Sequence, residues 1–205
     1  MLRAVLIRMA LLAAAVLFGT AVGARTSPPA TDQRLVNSAQ LRATDVPLPW
    51  KLTSVKSVLP EPRCGSETAS AVSWARFEPL TSNGALDSIV RAYATPLEAG
   101  RQLAIFASTA YRACRGKYIA SVLHGHVLVN KLYLEGLANG VELNVFVISF
   151  TRNGSTYGLD EEDVRGYRGR VLVSVSIFDY DLDRWKGSDE RLAKRLFTRI
   201  LSRLP

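Results

Sequence analysis

The segment DYDLDRWKGSDE, Asp179 to Glu190, spaces acidic side chains as an oxygen-ligand loop for a hard cation would. Asp179, Asp181, Asp183 and Glu190 fall at the first, third, fifth and twelfth places of an EF-hand loop, the places that supply carboxylate ligands to calcium. The sixth place, where such a loop needs glycine for its sharp turn, holds Arg184, and a guanidinium there would sit beside the ion. The helix that should precede the loop is also missing, because residues 169–178 alternate as a strand. The segment is therefore expected to be a strand running into a helix, with Asp189 and Glu190 complementing the helix N-terminus. His124 and His126 are a second pair with metal-ligand character: on a strand, alternate imidazoles face the same way. A third donor does not stand near them in sequence, so neither set is expected to hold a metal, and no cofactor is expected. The alternative they would support is a metal-dependent envelope enzyme using His124 and His126, or Asp179, Asp181 and Asp183.

Motifs for covalent catalysis are lacking. The chain has no GxSxG elbow and no phosphate-binding loop, so a non-catalytic protein is expected. Asp160, Glu161, Glu162 and Asp163 form an acidic cluster, read as a solvated loop after a hairpin or as a docking point in a basic protein. Cys64 and Cys114 are the only two cysteines and do not form a CxxC pair. In an exported chain they have one possible bridge, which is read as structural.

Export is expected from the N-terminus. Arg3 and Arg8 precede an apolar run that ends in Val22-Gly23-Ala24, the three parts of a signal peptide over residues 1–24. The uncharged run is shorter than the ~20 residues of a spanning helix, so cleavage is expected over anchorage. No cysteine near the cut offers a lipid-anchor site. Residues 25–35 carry two prolines and many polar groups and are expected to be a disordered leader, with a single domain over 36–205. The formal charge of +8 includes Arg3 and Arg8, which leave with the signal; the remaining excess suits anionic partners such as envelope polymers or lipid headgroups, and equally suits solubility alone. Nucleic acid is not expected as a partner of an exported chain whose arginines are scattered.

Certain elements must position these residues. Thr95-Pro96-Leu97-Glu98 is a capping box with proline at the first helical position, and Leu103, Phe106, Ala107, Ala110, Tyr111 and Cys114 follow at helical spacing up to Gly116. A second amphipathic helix runs from about Ser188 to Leu204, its apolar stripe bordered by Arg191, Arg195 and Arg199. AVSWARFEP and LDSIVRAYA alternate around the turn SNGA, Asn153-Gly154 marks another hairpin, and GRVLVSVSIFDYD is a last long strand. SVLHGHVLVNKLYLEG reads as a strand throughout, and residues 38–57 as a short helix and an edge strand. The predicted fold class is α+β: a largely antiparallel sheet with two main helices packed on one face.

Four stretches in order, LRATDVPLPW, PEPRCG with Cys64, EAGRQLAIFASTAYRACRGK with Cys114, and GRVLVSVSIFD before a terminal amphipathic helix, resemble one family. It is that of the extracytoplasmic sensor domains of PknH-type actinobacterial membrane kinases and their exported relatives. The resemblance covers roughly residues 36–204. It implies an antiparallel sheet with helices packed on it, a cleft, and binding or sensing outside the cell. Members often carry four cysteines and two bridges, whereas this chain has two cysteines. It has no kinase domain either, so a sensed signal would pass to another protein. Trp74, Arg76, Arg91 and Tyr93 are the candidate cleft residues for an envelope-derived small molecule or anionic polymer. Contact of the basic terminal helix with a membrane surface or a protein partner is a further expectation.

Overall fold

Alternation of apolar and polar residues in seven segments produces seven strands, and all neighbouring strands pair antiparallel where their register is defined. They are β1 (Trp50–Lys56), β2 (Ala71–Pro79), β3 (Gly84–Ala92), β4 (Gly125–Tyr133), β5 (Glu142–Arg152), β6 (Ser155–Arg168) and β7 (Val171–Asp179). Among the described residues four α-helices accompany them: α1 (Ala30–Ala39), α2 (Pro96–Ala107), α3 (Thr109–Leu123) and α4 (Gly187–Leu201). The computed structural model describes residues 30–57, 64, 69–80, 84–123, 125–133, 141–152, 155–179 and 187–205. The signal segment 1–24, His124, Asp181 and Asp183 lie outside the described residues. No helix among the described residues is long and apolar enough to cross a membrane.

The strand order is β1-β2-β3-β7-β6-β5-β4, so β7, last in sequence, lies in the middle. The chain is α+β with an antiparallel sheet, as expected, but its helices cover both faces. Along β7, Val171, Val173, Val175 and Ile177 join the cluster that includes Val36 of α1 and Leu196, Phe197 and Ile200 of α4. Leu172 points the other way, into a second cluster with Leu103 and Phe106 of α2. The expectation of two main helices on one face is thus corrected: α2 and α4 lie on opposite faces. The physical reason is that β7 is buried on both sides, so its alternation offers an apolar residue to each layer.

Three local departures follow from capping and docking. The helix expected from Thr95 to Gly116 is two helices, because Ser108 is extended at φ −70°, ψ 149°. Its backbone N–H donates to Ile105 O, and its Oγ accepts from Tyr111 N at 3.1 Å, which ends one helix and caps the next. Gly116 is carried inside α3, and residues 121–123, expected in a strand, finish that helix. The leader expected to be disordered to residue 35 is helical from Ala30. Asp32, Val36 and Ala39 recur at helical spacing and are buried, so this segment has a face to dock.

α1 is held at both ends. Arg170, in the β6–β7 turn beside Gly169 (φ +53°), donates to Asp32 Oδ1 at 2.6 Å and to Tyr93 O at 3.0 Å. Ser70 Oγ donates to Asp32 Oδ2. The Arg170 hydrogen bond comes first, then that of Ser70, in holding the Asp32 carboxyl below the ordinary carboxylate range. Just past α1, buried Gln40 donates to Ser73 O at 2.8 Å and Ser88 O at 3.1 Å, satisfying its amide among strands.

Candidate functional site

The sheet face under α2 carries an unusual content for a covered sheet. Register sets Arg76, Asp87, Ser176 and Asp163 side by side across β2, β3, β7 and β6. The next row on the same face is Trp74, Ile89, Ser174 and Arg165. The third is Val72, Arg91, Leu172 and Tyr167. Asp87, Arg91, Ser174, Ser176, Asp163 and Arg165 are all buried, Asp163 with 0% exposure. Burying charge is costly unless it is paired, so the pairing must be accounted for group by group.

Arg76 forks onto Asp87, Nε to Oδ1 at 2.8 Å and an Nη to Oδ2 at 2.7 Å. Ser176 Oγ donates to Asp163 Oδ1 at 3.1 Å, and Arg165 ion-pairs with Asp163. Arg91 donates to Ser174 Oγ at 3.2 Å. The guanidinium carbons of Arg91 and Arg165 lie 5.4 and 4.9 Å from the Phe106 ring centroid, so one aromatic ring meets two cations. Tyr111 meets Phe106 edge-on at 4.9 Å and is itself 5.3 Å from Arg165. The break at Ser108 thus sets Phe106, late in α2, against Tyr111, early in α3.

At its β2 end the polar face opens to solvent. The Arg76 side chain is 37% exposed, and Trp74 is half-buried. A register shift between Leu52 and Ser54 re-aims the end of β1, bringing exposed Lys56 opposite Trp74. Lys56 Nζ and the Arg76 guanidinium carbon lie 5.3 and 5.4 Å from the Trp74 ring centroid. The charges of these rows are Arg76, Arg91 and Arg165 against Asp87 and Asp163, with Lys56 beside Trp74, and the same register sets Glu142 of β5 opposite Arg165.

Cys64 and Cys114 are disulfide-bonded, with Cα atoms 5.8 Å apart. The bridge ties the β1–β2 connection to α3, the helix that continues the cover begun by α2.

Of the four residues expected to line a cleft, Trp74, Arg76 and Arg91 share this polar face. Tyr93 does not line an opening: it is fully buried with Leu103 and Phe106, packed where β3 turns into α2. Asp160–Asp163 is not a loop. It belongs to β6, because pairing with β5 continues to Glu142↔Arg165 and β7 holds the other edge, and this buries Asp163. Asp179 ends β7 opposite Gly84 and Asp160, Glu190 lies inside α4 beside Lys194, and His126 sits in β4 opposite Ser149. The main components that sequence reading missed are Asp87, Arg165, Ser174 and Ser176, and Asp163 was read only as part of an acidic cluster. Their signal was present in the polar positions of LDSIV, VSVSI and DVRGY.

No protein-family model matches the chain, and no curated protein matches it. Among solved structures it is similar to the extracellular domain of PknH from Mycobacterium tuberculosis, at 10% identity and a TM-score of 0.48. That match covers 83% of this chain and 96% of the other.

Proposed function

We propose that the chain is an exported, non-catalytic sensor or ligand-binding domain. Its ligand is an envelope-derived small molecule or polymer segment with an anionic group and an apolar or planar part. The observation that carries this reading is the polar face: three arginines, two serines and two aspartates, mostly buried, rowed across four strands and opening beside Trp74. A sheet that needed only a core would carry apolar residues there, as the opposite face does. Guanidiniums bind carboxylate and phosphate in forked geometry, and a half-buried indole such as Trp74 offers a ring edge or face for stacking. Each described carboxylate of the rows is gripped by an arginine, an arrangement that fixes the site's shape and does not leave a base to move protons.

Action outside the cytoplasmic membrane is supported by the signal-like residues 1–24 and by the disulfide, which belongs to oxidising compartments. The test is thermal unfolding of the disulfide-bonded chain in anionic and neutral fractions of a host envelope extract, with and without chelator. An anionic fraction should raise the unfolding temperature and chelator should not matter, as ligand linkage requires. Stabilisation that disappears with chelator would replace this reading with a metal-dependent one.

A further inference from the structure

A second surface lies away from the polar face, where the loop after α1 meets the C-terminal helix. A groove of about 570 Å³ is lined there by Thr44, Asp45, Pro47, Arg195, Leu196 and Arg199, among others. Asp45 is the pin: Arg203 donates to it at 2.6 Å, Arg199 lies at 3.4 Å, and the Arg42 N–H donates at 2.7 Å. Burial raises the Asp45 pKa, but these donors together outweigh it and leave the carboxyl below its ordinary range. From Glu190 to Arg203 there are five cations, of which Lys194 pairs with Glu190 while Arg199 and Arg203 share Asp45, so the helix keeps a positive excess. Arg191 and Arg195 are exposed, and the Arg199 side chain is 62% exposed.

Beside the groove the surface changes character. Leu48, next in sequence to the groove residue Pro47, is 83% exposed, and Leu80 is 62% exposed. Both belong to a fastened structure: Trp50 N donates to Pro47 O at 3.2 Å and Leu80 N to Pro49 O at 2.9 Å. Two large apolar side chains are thus displayed on backbone that hydrogen bonds already hold, beside a row of solvated arginines. Arginines reaching anionic headgroups while neighbouring leucines enter the acyl boundary is the chemistry of interfacial membrane binding.

We infer that this end of the molecule docks on an anionic lipid surface, with Leu48 and Leu80 inserted and Arg191, Arg195 and Arg199 on headgroups. The charge complementarity and the adjacent leucines together select a membrane over a soluble polyanion, which would use the arginines and ignore the leucines.

The test uses the disulfide-bonded chain from Arg25 and vesicles of phosphatidylcholine, alone or with phosphatidylglycerol, in a sedimentation assay. Binding is expected only with phosphatidylglycerol and should weaken as salt rises. Leu48→Ser should weaken it about tenfold, and Arg195→Gln about fivefold, each with an unchanged unfolding temperature. Equal binding to pure phosphatidylcholine, no binding to either vesicle, or phosphatidylglycerol binding that survives Leu48→Ser and Leu80→Ser would overturn the inference. Competition by polyphosphate with no effect of the leucine variants would reassign the surface to a soluble polymer.

Discussion

Arg76 and Asp87 face each other across β2 and β3 and share two near-parallel hydrogen bonds, 2.8 and 2.7 Å long. The pair forms the solvent end of a row that continues inward through Ser176 to Asp163. Arg76 is open to water on one side, so the pair's coupling should be moderate, about 1–2 kcal/mol in a double-mutant cycle with Arg76→Gln and Asp87→Asn. Urea unfolding of the four proteins measures it. Additive effects would mean the fork contributes no mutual stabilisation.

The Asp32–Arg170 contact predicts a pH dependence with a definite sign. The Arg170 hydrogen bond, with that of Ser70, depresses the Asp32 pKa in the folded chain. The stability it brings is therefore present above the unfolded carboxylate value of about 4 and is lost as pH falls through the lower folded value. Asp32→Asn should cost about 2 kcal/mol at neutral pH. Measured again near pH 2.5 or below, the gap to wild type should be much smaller. A gap that is the same at both pH values would show that the carboxylate charge does not hold α1.

Breaking the Cys64–Cys114 bridge opens a link between residues separated by 50 in sequence. The chain-entropy model sets the loss at about 4 kcal/mol, which strain or residual structure reduces. Replacing both cysteines by serine should lower the guanidinium midpoint without changing the sheet's circular dichroism. A midpoint equal to that of the oxidised wild type would contradict the reading of the bridge as a structural staple.

Gly166 of β6 is a tight point in the core. A Cβ there would stand 2.8 Å from Phe197 Cζ and 3.0 Å from Val141 Cγ2. Phe197 is fully buried and cannot swing aside cheaply. Gly166→Ala should destabilise by about 1–3 kcal/mol, and pairing it with Phe197→Leu should recover part of that loss. A neutral alanine variant would mean that α4 sits more loosely on the sheet than its contacts imply.

Strand alternation and caps were easy to read from the residues. Thr95 starts α2 as its TPLE spacing says, and Glu98 N donates to Thr95 Oγ1 at 3.2 Å. The β5–β6 register runs out to Arg152↔Ser155, the residues on either side of the Asn153-Gly154 signal in the sequence. Harder to see was anything decided by a partner strand. EEDV looks like a solvated turn until β7 inserts between β3 and β6 and buries Asp163. The leader's helix was hidden for a similar reason, since Asp32 gains its value from Arg170, 138 residues away. Part of the polar face was hidden in the same way: a turn centred on SNGA would set Arg76 opposite Arg91, whereas the actual register pairs it with Asp87.

A native mass spectrum of the protein secreted by its own host shows whether an anionic ligand occupies the polar face. The expected species is a chain starting near Arg25, lighter by the two hydrogens lost to the disulfide, and carrying an organic anionic adduct. The adduct should be missing when Arg91→Gln or Trp74→Ala is secreted from the same host, with each variant folded by circular dichroism. A bare wild-type mass, or an adduct retained in both variants, would contradict occupancy of the polar face.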